Sequence, residues 1–445
     1  MKLTSGTIWK QMLRFYFPIL VGSIIQLLYN TADSVMVGIY VGADALAAVG
    51  GTTANLFGMV IGMFTGIASG GTVLIGRYFG AEKNEDVTGA VQTSLCFSLL
   101  GGVIIGIIGY LATPYLLGLM NTPEGEIMKQ ATNYMRITFC GTVAGLLYNM
   151  GAGILRALGD SKTPMFLGMI SGALNVVLNF LFILVFHMGV NGVAYATIIS
   201  QIVSAVLVLR LLQKNEHCRI TKWIRPYINW SYLSQILQIG MPTGLQTIMY
   251  AVSNGVVQAN INNFEINQPG TMAAWAAYGR IVQLYWSTMA AMGMTVTTFV
   301  SQNYGAGDGV RIKKGVKTGL LFCLGITVSM IAVFNLLPEV LIGLFTTDTE
   351  VLSIGVDMIK LLSVFLITYV CVEVFTGALR GLGYTFGTTL ITLITVCVLS
   401  VVWVEVASYT FGTLDSVLMV FPATWSITSV SLVWYYLYKS KKCNL

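Results

Sequence analysis

Stretches of about 20 apolar residues, each long enough to cross a hydrocarbon core roughly 30 Å thick, recur from one end of this 445-residue chain to the other. Such stretches have no stable place in water, so the bilayer is the solvent this fold has to satisfy. Inside lipid every backbone N–H and C=O must find a partner within the protein, which leaves helices and closed barrels. The stretches here are continuous and lack the short alternating pattern of a barrel strand. The fold class is therefore all-α, a polytopic membrane protein. Charge agrees: Asp, Glu, Lys and Arg make up 9% of the residues, against roughly 25% in a soluble domain.

Twelve transmembrane helices are predicted, near residues 13–39, 47–76, 88–112, 130–152, 164–187 and 190–212, then 235–262, 271–300, 315–337, 353–377, 386–408 and 415–438. The most polar loop, 213–234, holds Lys214, Arg219, Lys222 and Arg225. It divides an N-terminal six-helix lobe, 1–212, from a C-terminal one, 235–445. With both termini cytoplasmic, twenty of the 24 Lys and Arg residues fall at the termini, in that loop or at inner helix ends. The outer connections carry Glu124, Glu126, Glu265, Glu339 and Asp348 instead. This positive-inside bias fixes the orientation and suits a multi-pass protein of the plasma membrane. The bases form no long tract with interleaved aromatics, so no nucleic-acid partner is expected. The first apolar stretch follows Lys2, Lys10 and Arg14 without a small-residue cleavage pattern, and is read as a retained helix.

The halves repeat at an offset of 224 residues. Pro18 matches Pro242, Asn30 matches Asn254, Pro114 matches Pro338, and Arg136 matches Lys360. Gly153-Ile-Leu-Arg156-Ala-Leu-Gly159 matches Gly377-Ala-Leu-Arg380-Gly-Leu-Gly383. Six helices per repeat is an even number, so both halves have the same orientation, a plan that puts a substrate site between repeats.

Polar residues inside the spans nominate the chemistry. Asp33 lies in the first helix, where a carboxylate costs about 2.5–3.5 kcal/mol near a span centre unless it is protonated, paired or ion-bound. Gln26, Tyr29, Asn30 and Asp33 fall at spacings of three and four and share a helix face. Asn175 and Asn179 share a face of the fifth helix, either as part of an ion site or as interhelical glue. Glu373 of the tenth helix needs a cation, a proton or a base, and Arg280 of the eighth is the base at hand, in a functional or a permanent structural pair. Tyr278, Ile281, Tyr285, Met289 and Met292 form a stripe on the eighth helix. Aromatic faces attract organic cations and methionine adapts its shape, so the stripe is a candidate substrate surface. Periodicity alone cannot separate it from core packing.

Three marks together make the chain resemble the multidrug and toxic compound extrusion (MATE) family of antiporters over essentially its whole length. They are the Pro18–Gly38 stretch with Asn30-Thr-Ala-Asp33-Ser-Val-Met-Val-Gly38, the doubled Leu-Arg-x-Leu-Gly, and Gln302-Asn-Tyr-Gly-Ala-Gly307. The resemblance implies two six-helix lobes enclosing a V-shaped cavity that opens alternately to each side. It also implies export of amphipathic, often cationic drugs or xenobiotics in exchange for H+ or Na+. Family members similar to this chain place an Asn and an Asp at the spacing of Asn175 and Asn179, completed by a threonine resembling Thr197, beside a first-helix Asp matched by Asp33. Here the second acid is an amide, which leaves one carboxylate in this lobe. A proton could be carried by Asp33 alone, with Asn30, Asn175, Asn179 and Thr197 tuning it; a Na+ ion could instead take Asp33, Asn175 and Asn179 as hard oxygen ligands. Gln26, Tyr29, Tyr278, Arg280, Tyr285, Met289 and Glu373 are the candidate substrate contacts.

Other classes fit poorly. No GxxxxGK[ST] phosphate loop is present, so an ion gradient would supply the energy. His187 and His217 are the only histidines, too few for a usual hydrolytic metal site, and no GxSxG nucleophile appears. An enzyme is not expected, nor a cofactor beyond the coupling ion. A lipid-linked precursor flippase of the same superfamily is the alternative, but its cavity should be strongly cationic. The expected partners are small-molecule substrates and membrane lipids, and the expected state is a monomer.

Overall fold

The computed structural model describes residues 2–50, 52–120, 122–218, 227–266 and 268–442. Arg219, Lys222 and Arg225 of the central loop lie outside the described residues. Among those described there is no strand, and twelve long helical segments follow one another. The first six are α1 (Ile8–Tyr40), α2 (Thr52–Gly80), α3 (Asn84–Leu119), α4 (Glu126–Cys140 and Thr142–Ala157), α5 (Lys162–Val185) and α6 (Gly189–Gln213). The rest are α7 (Trp230–Asn263), α8 (Thr271–Gly305), α9 (Gly309–Leu336), α10 (Thr349–Ser363 and Leu366–Gly381), α11 (Thr385–Thr410) and α12 (Leu414–Lys442).

Every predicted span overlaps one of these. Eight are long and apolar enough to cross a bilayer on their own, and α4 and α10 qualify once their bent halves are joined. Polar residues such as Gln238, Gln246 and Asn254 in α7 and Arg280 and Gln283 in α8 keep those two helices from qualifying by apolarity. Their lengths of 34 and 35 residues still correspond to about 50 Å of helix at 1.5 Å per residue. Sequence reading did not anticipate the short helix Ala43–Gly50, or the bends of 50° in α4 and 54° in α10. The bends fall at Gly141 and around Phe365, one repeat offset apart. Neither contains proline. The α10 break is held by side chains from its neighbours: Asn335 Nδ2 donates to Ser363 Oγ at 2.8 Å and Tyr285 Oη donates to the Leu366 carbonyl at 2.9 Å.

The doubled Leu-Arg-x-Leu-Gly motif is a way of ending a helix. Gly159 and Gly383 take φ of +82° and +77°, a region where only glycine is unstrained. Asp160 N–H then reaches back to the Leu155 carbonyl at 2.9 Å, and Tyr384 N–H to the Leu379 carbonyl at 2.8 Å. These are the six-to-one bonds of a glycine-terminated helix, satisfying carbonyls that the last turn leaves open. Arg156 and Arg380 sit in those last turns, where a cation also suits the helix dipole.

By packing, the chain forms two compact units: Arg14–Gly244 with Lys2, and Leu3–Leu13 with Leu245–Leu445. The division runs through α1 and α7. Within the first unit, Gly66 and Gly70 of α2 meet Gly240 and Gly244 of α7. A Cβ on Gly66 would lie 2.4 Å from Gly244 Cα, and one on Gly240 would lie 2.5 Å from the Ile67 carbonyl oxygen. Two small-xxx-small faces thus let the backbones touch, the usual substitute for a hydrophobic driving force in lipid. Within the second unit, the Gln302–Gly307 motif and Arg311 hold the N-terminal segment. Leu3 is fully buried; its N–H donates to Gln302 Oε1 at 2.9 Å, and its carbonyl accepts from Asn303 Nδ2 at 3.3 Å and Arg311 Nε at 3.1 Å. The Arg311 guanidinium also donates to the Gly6 and Ser5 carbonyls and to Gln11 Oε1.

Candidate functional site

The first unit gathers its intramembrane polar groups at one place. Asp33 stands two turns before the end of α1, and α5 faces it with Asn175 and Asn179, both nine-tenths buried or more. Their one-turn spacing puts both amides on the same helix face. Tyr29, one turn before Asp33, packs on Gly172 of α5, where a Cβ would be 3.0 Å from the ring. Asn179 Nδ2 donates to Asp33 Oδ1 at 2.5 Å and to Asn175 Oδ1 at 3.3 Å, while Asn175 Nδ2 donates to Thr197 Oγ1 of α6 at 3.3 Å. Thr197 directs its own hydroxyl proton to the Val193 carbonyl at 3.0 Å, leaving its oxygen free to accept. With the Asn175 amide turned over, its nitrogen donates to Asp33 Oδ1 at 2.8 Å and Oδ2 at 3.2 Å. In both orientations the carboxylate is held by amide N–H groups of α5.

Two features distinguish this cluster from a fully paired helix contact. Among the described residues no lysine or arginine pairs with Asp33, and Asn179 Oδ1 is buried with no donor. A buried acceptor is thus left without the donor that such groups normally have. Gln26 and Asn30 lie on the exposed side of α1, and no side-chain hydrogen bond joins Asn30 to the cluster among the described residues. Exposed amides at membrane depth belong against water or protein, not lipid.

The second unit corrects two expectations. Arg280 is exposed and makes no ion pair with Glu373 among the described residues. Arg380 lies seven residues further along the same helix and therefore on the same face as Glu373, though no ion pair joins the two among the described residues. Tyr369, one turn earlier, donates its hydroxyl to Glu373 Oε2 at 3.3 Å. The carboxylate lies against Gly293 of α8, where a Cβ would come within 2.0 Å of Oε1. The second correction concerns the stripe on α8. Tyr278, Tyr285, Met289 and Met292 are buried to 6% exposure or less, because this face packs on α9 and α10 and Tyr285 supports the α10 break. Those four residues are core, while Ile281 of the stripe stays half-buried. The opposite face of α8 is the exposed one and carries Arg280 and Gln283; α7 exposes Thr247 and Asn254. Accordingly, Tyr285→Phe should lower the unfolding temperature modestly, by the roughly 1 kcal/mol of one buried hydrogen bond, and leave the substrate range unchanged. A changed range with unchanged stability would return the stripe to the binding surface.

Two repeated sets of six spans, with acids and amides held at membrane depth in each, define a polytopic membrane transporter. The MatE family profile matches the chain twice, over residues 18–181 and 242–404, in register with the internal repeat. The chain belongs to the MatE family. A second profile, that of the lipid II flippase MurJ, matches residues 145–257. Among curated proteins the chain is similar to the "Probable multidrug resistance protein YoeA" of Bacillus subtilis, 28% identical, covering 99% of this chain and 96% of that one. It is also similar to the "Probable multidrug resistance protein NorM" of Thermotoga maritima, 27% identical over 92% of this chain and 88% of that one. The "Multidrug export protein MepA" of Staphylococcus aureus is 25% identical over 88% and 85%. Among solved structures, an outward-facing MATE family transporter of the MOP superfamily superposes with a TM-score of 0.92 at 23% identity, covering 99% and 98% of the two chains. A MOP superfamily transporter from Pyrococcus furiosus gives 0.92 at 23% identity, covering 100% and 98%. The fold is thereby that of the MATE transporters.

Proposed function

We propose that this protein is a secondary active antiporter of the plasma membrane, exporting amphipathic organic compounds in exchange for an ion bound at Asp33. The observation that carries the reading is the Asp33 carboxylate, held in a span by the amides of Asn179 and Asn175 without a base, beside the orphaned Asn179 oxygen. A proton on Asp33 would donate to that oxygen; a Na+ ion would take it, Asn175 Oδ1 and the carboxylate as ligands. Either neutralises the acid and so changes how favourably α1 packs in the membrane, which biases an alternating equilibrium. The multidrug names of the relatives support drug-like substrates. Exposed polar faces are available for such a substrate in each unit, with Gln26 and Asn30 on α1 in the first and Thr247 and Asn254 on α7 in the second. In this reading both termini face the cytoplasm and the working form is a monomer.

A second reading has its own observations. Arg280 is an exposed intramembrane base without a partner among the described residues, and the flippase profile covers part of the chain. Both favour an anionic amphiphile such as a lipid-linked precursor. One experiment separates these readings. The purified protein is reconstituted into liposomes loaded with a cationic dye, and a pH or a Na+ gradient is imposed in turn. Dye movement driven by one gradient supports the antiporter and identifies its ion. No movement under either gradient, together with transbilayer flipping of a fluorescent anionic lipid, would replace it with the flippase.

A further inference from the structure

We propose that the cytoplasmic end of the first unit holds a binding site for a phosphate-bearing anion, separate from the transport site and best suited to the headgroup of an anionic phospholipid. The site is a cleft of about 710 Å³ lined by Lys2, Arg14, Phe79, the Leu158–Lys162 turn, Asn215 and His217. It opens where α4 ends and α5 begins, at the same face as the inner end of α1.

The lining has the charge and donors an oxyanion needs. Arg14 and Lys162 are exposed, and neither has a carboxylate partner among the described residues. Lys2 is already engaged by Glu82 at 2.6 Å, so it adds to the field more than to the contact. Ser161 lines the cleft, where its hydroxyl is available to a molecule that enters. Asn215 turns its oxygen to the His217 N–H at 3.0 Å, which leaves its amide N–H groups available. The one acid in the lining, Asp160, is occupied: Oδ1 accepts from Lys162 N and Thr163 N at 3.1 and 3.0 Å, and Oδ2 from Thr163 Oγ1 at 2.6 Å. It caps α5.

Arginine and lysine with a hydroxyl and an amide form the donor set that recognises a phosphate. The volume exceeds that of an inorganic ion and leaves room for a glycerol or sugar substituent. Phe79 and Leu158 give the cleft an apolar wall, against which the upper part of an acyl glycerol would lie. Anionic lipids concentrate at the cytoplasmic surface, where basic clefts between helices bind their headgroups.

The test uses the full-length protein in a neutral detergent, with tryptophan-monitored thermal unfolding as the readout. Dioctanoyl phosphatidylglycerol, inorganic phosphate and dioctanoyl phosphatidylcholine are titrated separately. Saturable stabilisation is expected from phosphatidylglycerol, at a concentration at least tenfold below that needed for phosphatidylcholine. Arg14→Gln with Lys162→Gln should weaken it ten- to a hundredfold, Arg14→Lys should retain most of it, and Ser161→Ala should weaken it severalfold. Removing the same charge elsewhere, by Lys313→Gln with Lys314→Gln, should change nothing. If inorganic phosphate saturates as tightly as the lipid and responds to the same substitutions, the site stands and its ligand is a soluble phosphate. Equal response of the Arg14/Lys162 and Lys313/Lys314 pairs, or no saturation with either phosphate probe, overturns the proposal.

Discussion

Asp33→Asn is expected to reduce gradient-driven efflux in liposomes to the level of protein-free vesicles while leaving the protein folded and inserted. The substitution keeps the size of the side chain and its place on α1, so the contacts of Asn175 and Asn179 can be rebuilt around an amide. It removes a charge whose burial costs about 2.5–3.5 kcal/mol near a span centre, so thermal stability should hold or rise. What it removes outright is the ability to exist in charged and neutral forms, and without two forms an ion gradient has nothing to act on. The measurement pairs dye efflux with an unfolding curve from the same preparation. Full coupled efflux by Asp33→Asn would move the coupling site elsewhere, and Glu373, facing Arg380 and Tyr369, would be the next group to test. Loss of both efflux and folding would instead assign Asp33 to structure.

A second large effect is expected at the α2–α7 crossing. Gly66→Leu or Gly244→Leu should prevent recovery of monodisperse protein, a loss of at least about 3 kcal/mol by analogy with severe overpacking. The atoms that an added Cβ would meet are backbone: Gly244 Cα and N at 2.4 Å from Gly66, and the Met63 carbonyl oxygen at 2.5 Å from Gly244. No rotamer change relieves such a contact, so the helices must separate. Gly58 and Gly255, which have open space around them, are the controls, and Gly58→Ala or Gly255→Ala should purify normally. Size-exclusion profiles in detergent decide the matter; a monodisperse Gly66→Leu variant with an unchanged unfolding temperature would show that the close approach is not required.

Length and apolarity made the spans legible, and the repeat made their grouping legible, because both are written along the chain. Asn175 and Asn179 on one face followed from helical spacing, and their meeting with Asp33 and Thr197 followed from family resemblance; no local pattern brings α1 to α5. The partner of Glu373 was misassigned to Arg280 because a charge balance does not say which way a side chain faces. Arg380, at a spacing of seven on the same helix, shares its face instead. The stripe of Tyr278, Tyr285 and Met289 was found by its period, but period identifies a face and not its neighbour. The glycine crossing was present as Gly66-x-x-x-Gly70 and Gly240-x-x-x-Gly244 and could have been read as a contact. The hold of Gln302, Asn303 and Arg311 on Leu3 could not, since it joins residues about 300 positions apart through an otherwise featureless tail.

That hold has a consequence for how the chain is made. Translation delivers Leu3–Leu13 first, yet the residues that receive this segment, Gln302 to Arg311, reach the membrane only after two-thirds of synthesis is complete. The first unit likewise waits for Gly240 and Gly244, which are translated after the central loop. Each unit thus completes its packing only once a late segment has been translated, although domains generally fold in order from the N-terminus. Nascent chains arrested before residue 240 should therefore hold inserted but protease-sensitive helices, and the earliest residues to leave the ribosome should be among the last to become protected.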